Sequence, residues 1–279
     1  MSLYPFLLVL VASASAFVLP DTNPDPLFIG GTVASFGAFP AVAYIVAPDR
    51  ELCGAAVIDA RHVVTLAQCV LNATYNTINP RLVRVHTGEL NLVPVSHTRQ
   101  TQLGDVIYVH PNFKAHTLEN DVAVIRVQEP FHIPSNEVEP ANRRTHIVAN
   151  GATCYLAGWG AIDPAPGSII NPMQRFIPMV INDRDVCNTI RRERQIFESM
   201  ICAGNTDIVQ NGPAPCHGSL GSGLYCHGNL TGLLSYGLNC GMANNPPTFT
   251  QIRFFNPWIQ QQLIRTDRPP AGMSPLDVV

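Results

Sequence analysis

The sequence predicts an all-β fold of antiparallel strands, built as barrels or sandwiches, and three observations carry that expectation. Short apolar or alternating runs recur from Phe28 onward, rich in β-branched residues. Gly, Pro, Asn and Asp punctuate them at turn spacing. Helical signals are few, and 279 residues suffice for one large all-β domain or two small ones.

In order, the strand-length runs are AVAYIVA from Ala41, GAAVIDA from Gly54, HVVTLA from His62, RLVRVHTG from Arg81, DVIYVH from Asp105, DVAVIRV from Asp121, TCYLAGW from Thr153 and GLLSYG from Gly232. Two segments read as helix. From Asp183, DRDVCNTIRRERQIFES offers Asp183 or Asp185 as a cap and Arg191, Arg192 and Arg194 as a solvated face. Near the end, NPWIQQQLIR places Asn256 as N-cap, Pro257 at the first helical position, and Trp258, Ile259 and Leu263 at apolar spacing.

The ends read as processing and linker segments. Residues 1–16, MSLYPFLLVLVASASA, form an apolar run closing on Ala14-Ser15-Ala16, the pattern of a secretory signal peptide. Residues 17–27 are a short Pro/Asp-rich leader, and residues 266–279 a Pro-rich tail. Beyond the signal, no stretch reaches the length of a membrane span.

A net charge of −3, spread along the chain, gives neither a basic stripe for nucleic acid nor an acidic tail. Eight cysteines, an even number downstream of a signal peptide, point to disulfides in an oxidising compartment. No CxxC pair occurs and the nine histidines are scattered, so neither zinc nor any other metal or cofactor is expected. After Thr87, Glu89 is the only carboxylate before Asp105, too few oxygen ligands for calcium. Asn72-Ala73-Thr74 and Asn229-Leu230-Thr231 are glycosylation sequons, consistent with a secreted, extracellular protein.

From Phe28 to about Arg265 the chain resembles the chymotrypsin-like serine protease family. Nine stretches match in order: FIGG at Phe28, CGAAVI at Cys53, TLAQC ending at Cys69, NDVAVIRV at Asn120, CYLAGWG at Cys154, MICAG at Met200, CHGSLGSG at Cys216, SYG at Ser235, and the helix holding Trp258. The resemblance implies two six-stranded antiparallel β-barrels with a C-terminal helix, occupying residues 28–265. It also implies disulfides Cys53–Cys69, Cys154–Cys226, Cys187–Cys202 and Cys216–Cys240, which consume every cysteine.

Peptide hydrolysis in this family needs a Ser nucleophile, a His base, an Asp that orients the base, and backbone N–H groups for the oxyanion. The resemblance assigns these roles to Leu220, Gln68 and Asp121, with Gly218 at the oxyanion position. A carboxamide is no base near neutral pH, and a Leu side chain offers nothing to attack with. Only Asp121 survives, and burial would require partners for it; Gln68 and the Ser235 hydroxyl are the expected donors.

Activation is altered as well. Leu27 precedes Phe28, no Lys or Arg occurs between Phe17 and Asp49, and Ser219 stands where the carboxylate partner of a freed N-terminus would be. A buried ammonium without that partner would be costly, so its insertion is not expected. The implied specificity pocket has Ala214 as floor, Ser235, Tyr236 and Gly237 as wall, and Pro246-Pro247 on its far side.

These residues imply a secreted, monomeric, non-catalytic homologue. It would act by binding extracellular proteins, such as active serine proteases or their inhibitors, as cofactor, decoy or regulator. The competing expectation is an active endopeptidase with a displaced nucleophile, Ser219 or Ser222, and His217 as base.

Overall fold

The computed structural model describes residues 31–48, 50, 52–161, 169–190, 194–204, 214–237, 240 and 246–267. The signal peptide, the leader with the Leu27–Phe28 bond, and most of the tail lie outside these. No helix among the described residues is long and apolar enough to cross a membrane.

Six strands close into the first barrel in the order β2-β3-β4-β7-β6-β5: β2 (Val42–Val46), β3 (Cys53–Asp59), β4 (His62–Thr65), β5 (Arg84–Thr87), β6 (Gln100–Val109) and β7 (Ala123–Val127). All neighbours are antiparallel. Closure leaves no free edge and buries most of the Val, Ile and Ala side chains of these strands.

The second sheet contains β1 (Thr32–Val33), β8 (Thr153–Gly158), β9 (Arg175–Val180), β10 (Met200–Cys202), β11 (Gly223–Cys226), β12 (Asn229–Tyr236) and β13 (Thr248–Gln251). Their order is β1-β9-β8-β11-β12-β13-β10. Just past β9 and β10, Ile181 bridges Ala203, and the Asn182 and Gly204 N–H groups donate to Cys202 and Val180. Six of the seven strands thereby make a barrel, and the two-residue β1 is an added edge beside β9. The expected pair of six-stranded barrels is present with this one addition.

One core runs from inside the first barrel into the contact between the two, taking in Ala157, Trp159, Tyr225, Leu233 and Phe255. A second fills the other barrel with Leu156, Ile177, Met179, Leu234 and Phe249. Trp159 is fully buried, and its indole N–H donates to the Pro172 carbonyl at 3.1 Å.

The helix at Asp183 forms as expected: α1 spans Arg184–Ile190, and the Asp183 carboxylate accepts from the N–H groups of Asp185 and Val186. Arg191 and Arg192 lie outside the described residues. Arg194 is exposed, but its guanidinium sits over the Tyr236 ring, 5.6 Å from the centroid, so it is a partner of the site rather than only a solvated charge.

The C-terminal helix departs from expectation. It spans Ile252–Leu263 (α2), follows β13 without a loop, and begins at Gln251, whose side chain makes no cap bond. Asn256 is therefore inside the helix, where its amide donates to the Arg144 carbonyl at 2.7 Å, and Pro257 is also internal. Burial of Ile252, Phe255 and Ile259 outweighs the hydrogen bond that Pro257 cannot make. Beyond α2 the chain is tied to the first barrel. The Tyr108 hydroxyl donates to the Asp267 carbonyl at 3.0 Å, and Arg126 donates to the Arg265 carbonyl at 2.9 Å while pairing with Asp105.

All four disulfides implied by the resemblance are formed. In order, they fasten β3 to the turn at Ala67–Cys69, β8 to β11, α1 to β10, and the loop after Ala214 to the segment after Gly237. Such cross-links contribute about 2–4 kcal/mol each. Cys216, His217 and Cys240 are the one group of potential metal ligands drawn together among the described residues, and the disulfide consumes both sulfurs.

Candidate functional site

The site lies where loops of the two barrels meet. From the first barrel come the turn Ala67–Cys69, pinned by the Cys53–Cys69 disulfide, and Asp121, which enters β7. From the second come Ser235 on β12 and the loop Cys216–Ser222.

Asp121 is completely buried. Its Oδ1 accepts from the Gln68 backbone N–H at 3.0 Å, and its Oδ2 from the Gln68 side-chain amide and the Ser235 hydroxyl, both at 2.6 Å. The Thr250 hydroxyl donates to its backbone carbonyl at 2.8 Å. Gln68 Nε2 has a second acceptor, the Ser235 carbonyl at 2.9 Å. One amide thus bridges a carboxylate of the first barrel and a carbonyl of the second. The bond to Ser235 O is one that sequence reasoning missed, because no pattern marks a particular carbonyl as an acceptor.

Burial pushes the Asp121 carboxyl up to about 6, against the hydrogen bonds from Ser235, Gln68 and Ala67 that favour its charged form. The native state therefore holds this proton more tightly than the unfolded chain does. The stability that Asp121 contributes is full below about pH 4 and is lost as pH rises through 6. Buried His86 and half-buried His110, each pushed down to about 4, act in the opposite sense, because the unfolded chain takes their protons first. The Asp121 effect is isolated by difference. Unfolding free energy of the natural protein minus that of Asp121→Asn is expected to fall by on the order of 2 kcal/mol from pH 4 to pH 7. Urea titrations across that range read it, and a flat difference would refute the buried-carboxylate account.

Leu220, which the resemblance sets at the nucleophile position, is half-buried and packed on the core between the barrels. Its carbonyl accepts from the Gly54 N–H at 2.6 Å, and the Gly221 N–H donates to the Leu234 carbonyl. Gly218 and Gly221 hold φ of +78° and +80°, the left-handed region that a residue without Cβ enters freely. The His217 carbonyl accepts from Ala161 N at 2.7 Å, while neither the Gly218 nor the Leu220 N–H is spent on another described residue. Gly218 is the position to which the resemblance gives the oxyanion role.

Sequence reasoning also missed Ile170. A Cβ on Gly218 would lie only 2.8 Å from Ile170 Cδ1, so this side chain roofs the oxyanion-type position. Its loop connects through residues 162–168, and no motif in that stretch reports where it folds.

Ser219 is fully buried beneath Gly160, and its hydroxyl has no partner among the described residues. Ser222 is 2% exposed, lying against Gly158, whereas His217 is on the surface. No hydrogen bond joins His217 to either serine among the described residues.

Of the pocket residues, Ala214, Tyr236 and Gly237 are half-buried and Ser235 is buried. The Tyr236 hydroxyl donates to the Gln195 carbonyl at 3.3 Å. Pro246 and Pro247 are buried, with Pro247 against Gly204. The two sequons differ. Asn72 is on an exposed loop, its side-chain oxygen accepting from Thr74 and Asn76. Asn229 opens β12, and Thr231 of its sequon is 2% exposed.

Comparison with known proteins places this geometry. A sequence profile of the family described as Trypsin matches residues 28–259. The chain is 26% identical to trypsin of Sus scrofa over 242 residues, covering 87% of this chain and 98% of that one. It is 27% identical to kallikrein-14 of Homo sapiens over 262 residues, covering 92% of each. Identity to serine protease 1 of Rattus norvegicus is 28% over 261 residues, covering 92% of this chain and 97% of the relative.

Proposed function

The chain belongs to the trypsin family, and from that premise we propose that it is a secreted, non-catalytic serine protease homologue that works by binding other extracellular proteins. The observation that carries this reading is the Gln68 amide bonded to Asp121 where a base would have to sit. An amide nitrogen has no basic lone pair, so it can neither take a proton from a nucleophile nor return one to a leaving amine. Its donors are spent on Asp121 and Ser235 O, which makes it a brace between barrels. Leu220 adds no nucleophile, and in an enzyme of unrelated fold that uses the same triad, loss of one member costs up to about a million-fold in turnover, roughly 8 kcal/mol of barrier.

The alternative, an endopeptidase with a displaced nucleophile, gains no support from the loop. Ser219 and Ser222 are buried, and His217 faces solvent with no acid bonded to its ring among the described residues. What the scaffold offers is surface and backbone. A partner protease or inhibitor would meet a shaped cleft from which hydrolysis is missing, and the protein would serve as cofactor, decoy or regulator. The four disulfides suit an extracellular, oxidising location. Glycans at Asn72 and Asn229 accompany this reading, as does a monomeric state.

Treatment with a fluorophosphonate probe and a broad peptide library tests it. The natural protein is expected neither to label nor to cleave. Labelling at Ser219 or Ser222 would establish an enzyme with a rearranged site and overturn the proposal. A Gln68→His, Leu220→Ser variant shows whether the remaining donors can still support chemistry.

A further inference from the structure

The chain just beyond the Gln68 turn folds back on itself. Leu71 bridges Thr77, the Asn72 N–H donates to the Asn76 carbonyl at 2.8 Å, and the Tyr75 N–H donates to the Asn72 carbonyl at 3.0 Å. Within this turn the Asn72 side chain is held through one atom. The backbone N–H groups of Thr74 and Asn76 donate to it at 3.0 and 2.9 Å, which identifies it as the oxygen, and the Thr74 hydroxyl donates to it at 2.8 Å. The nitrogen, Nδ2, is left without a partner among the described residues, on a residue that is exposed.

That nitrogen is the atom that N-glycosylation modifies. The second sequon is placed differently: Asn229 Nδ2 donates to the His227 carbonyl at 2.9 Å, and the Thr231 hydroxyl donates to the Asn229 carbonyl at 3.0 Å.

All three residues of the first sequon line one open cavity of about 540 Å³. Pro48, Ile78 and Leu82 share its lining, and Leu82 is 55% exposed. Arg50 and Asn79 add polar groups to it. Arg50 donates to the Leu71 carbonyl, and the Asn79 side-chain oxygen accepts from the Arg81 N–H at 3.1 Å, which leaves the Asn79 amide nitrogen without a described partner. Apolar walls with a few polar groups, in a volume of about 300–1,000 Å³, are the character of small-ligand sites. A pyranose ring matches that chemistry, with C–H groups on its faces and hydroxyl and acetamido groups on its edge.

We propose that Asn72 carries an N-linked glycan whose first N-acetylglucosamine folds back into this cavity, its ring face on Leu82 and Pro48 and its polar groups toward Asn79 and Arg50. Carbohydrate then screens the flank of the first barrel beside the Gln68 turn from any protein partner. In the attachment the oligosaccharide comes from a lipid-linked diphosphate. The bond from sugar C1 to a diphosphate oxygen breaks, a bond from C1 to Asn72 Nδ2 forms, and the amide loses one proton. The inference rests on the reading of the chain as secreted, and not on whether its cleft is catalytic.

The full chain, expressed in cultured animal cells and purified from the medium, tests it. Peptide mass spectrometry is expected to find glycan on Asn72. A secreted chain with Asn72 bare would overturn this proposal alone, whereas a chain that stays in the cytosol would overturn the secreted reading and this proposal with it. Seating is read by hydroxyl-radical footprinting before and after peptide N-glycosidase removes the glycan from the folded protein, a step that converts Asn72→Asp and keeps an oxygen for the turn. Labelling of Leu82 is expected to rise about threefold on removal, as coverage of about two-thirds of its exposed surface implies. Val93, 71% exposed on a loop outside the cavity, is expected to stay constant. Equal labelling of Leu82 with and without the glycan would sink the idea.

Discussion

Replacing Arg99 by Met is expected to destabilise the protein by about 3 kcal/mol, among the largest losses that one polar substitution can cause here. The side chain of Glu89 is wholly removed from water. Arg99 meets it with two nitrogens, Nε and Nη2, the latter at 2.7 Å, and Tyr44 donates its hydroxyl at 3.4 Å. Arg99 also donates to the Leu92 carbonyl, so one side chain both neutralises the carboxylate and closes the loop between β5 and β6. Without it the charge stays buried and unpaired, and the Tyr44 phenol, already pushed up by burial and by Glu89, cannot compensate. The same loop touches the site. The Leu92 N–H donates to Pro172 O and the Gln174 N–H to Leu90 O, next to the segment that lays Ile170 over Gly218. Urea unfolding gives the magnitude, and Glu89→Gln combined with Arg99→Met should recover more than half of the loss. A single-variant loss under about 1 kcal/mol would mean that the pair is effectively solvated.

Gly221→Ala is expected to cost about 4 kcal/mol, through strain and collision together. A Cβ there would fall 2.2 Å from the Gly54 carbonyl oxygen and 2.9 Å from its carbon, and both are backbone atoms of β3 that cannot swing aside. The approach is mutual, since a Cβ on Gly54 would fall 2.5 Å from Ser222 N. Gly228 supplies the control. It has φ +74° but nothing within 4 Å of its Cβ position, so Gly228→Ala should pay for conformation alone, about 1–2 kcal/mol. The comparison of thermal or urea unfolding between the two variants is the test. Equal losses would show that the loop after Leu220 shifts freely, and the close fit of the barrels at this point would have to be abandoned.

The first barrel was legible in the sequence because its strands sit in apolar, β-branched runs with turn residues at their ends. β2, β4, β5 and β7 fall within runs identified by apolar content and turn punctuation, β3 starts one residue before its run, and the first half of β6, Gln100–Gly104, was not read as strand. The second barrel was harder to read locally. β10 and β11 have three and four residues, too few for a period, and β9 does not alternate at all. β13 passes directly into α2, so no turn residue announces either element, and the proline that looked like a helix start stands mid-helix on its exposed side. At the site, the Gln68–Asp121 contact followed from a simple demand, that a buried carboxylate finds donors. What escaped was long-range and without sequence mark: the second acceptor at Ser235, the Ile170 roof and the Arg194 cover on Tyr236.

The tie between the end of α2 and the first barrel has a consequence for the order of assembly. The strands of that barrel lie within residues 42–127, and they leave the ribosome well before Arg265 and Asp267 exist. Tyr108 and Arg126 wait for backbone carbonyls 159 and 139 residues downstream. Domains of a nascent chain generally fold from the N-terminus forward, while contacts of such sequence separation close last and slowly. The first barrel is thus made before the second, while its tie to the segment after α2 waits until Arg265 and Asp267 have been synthesised.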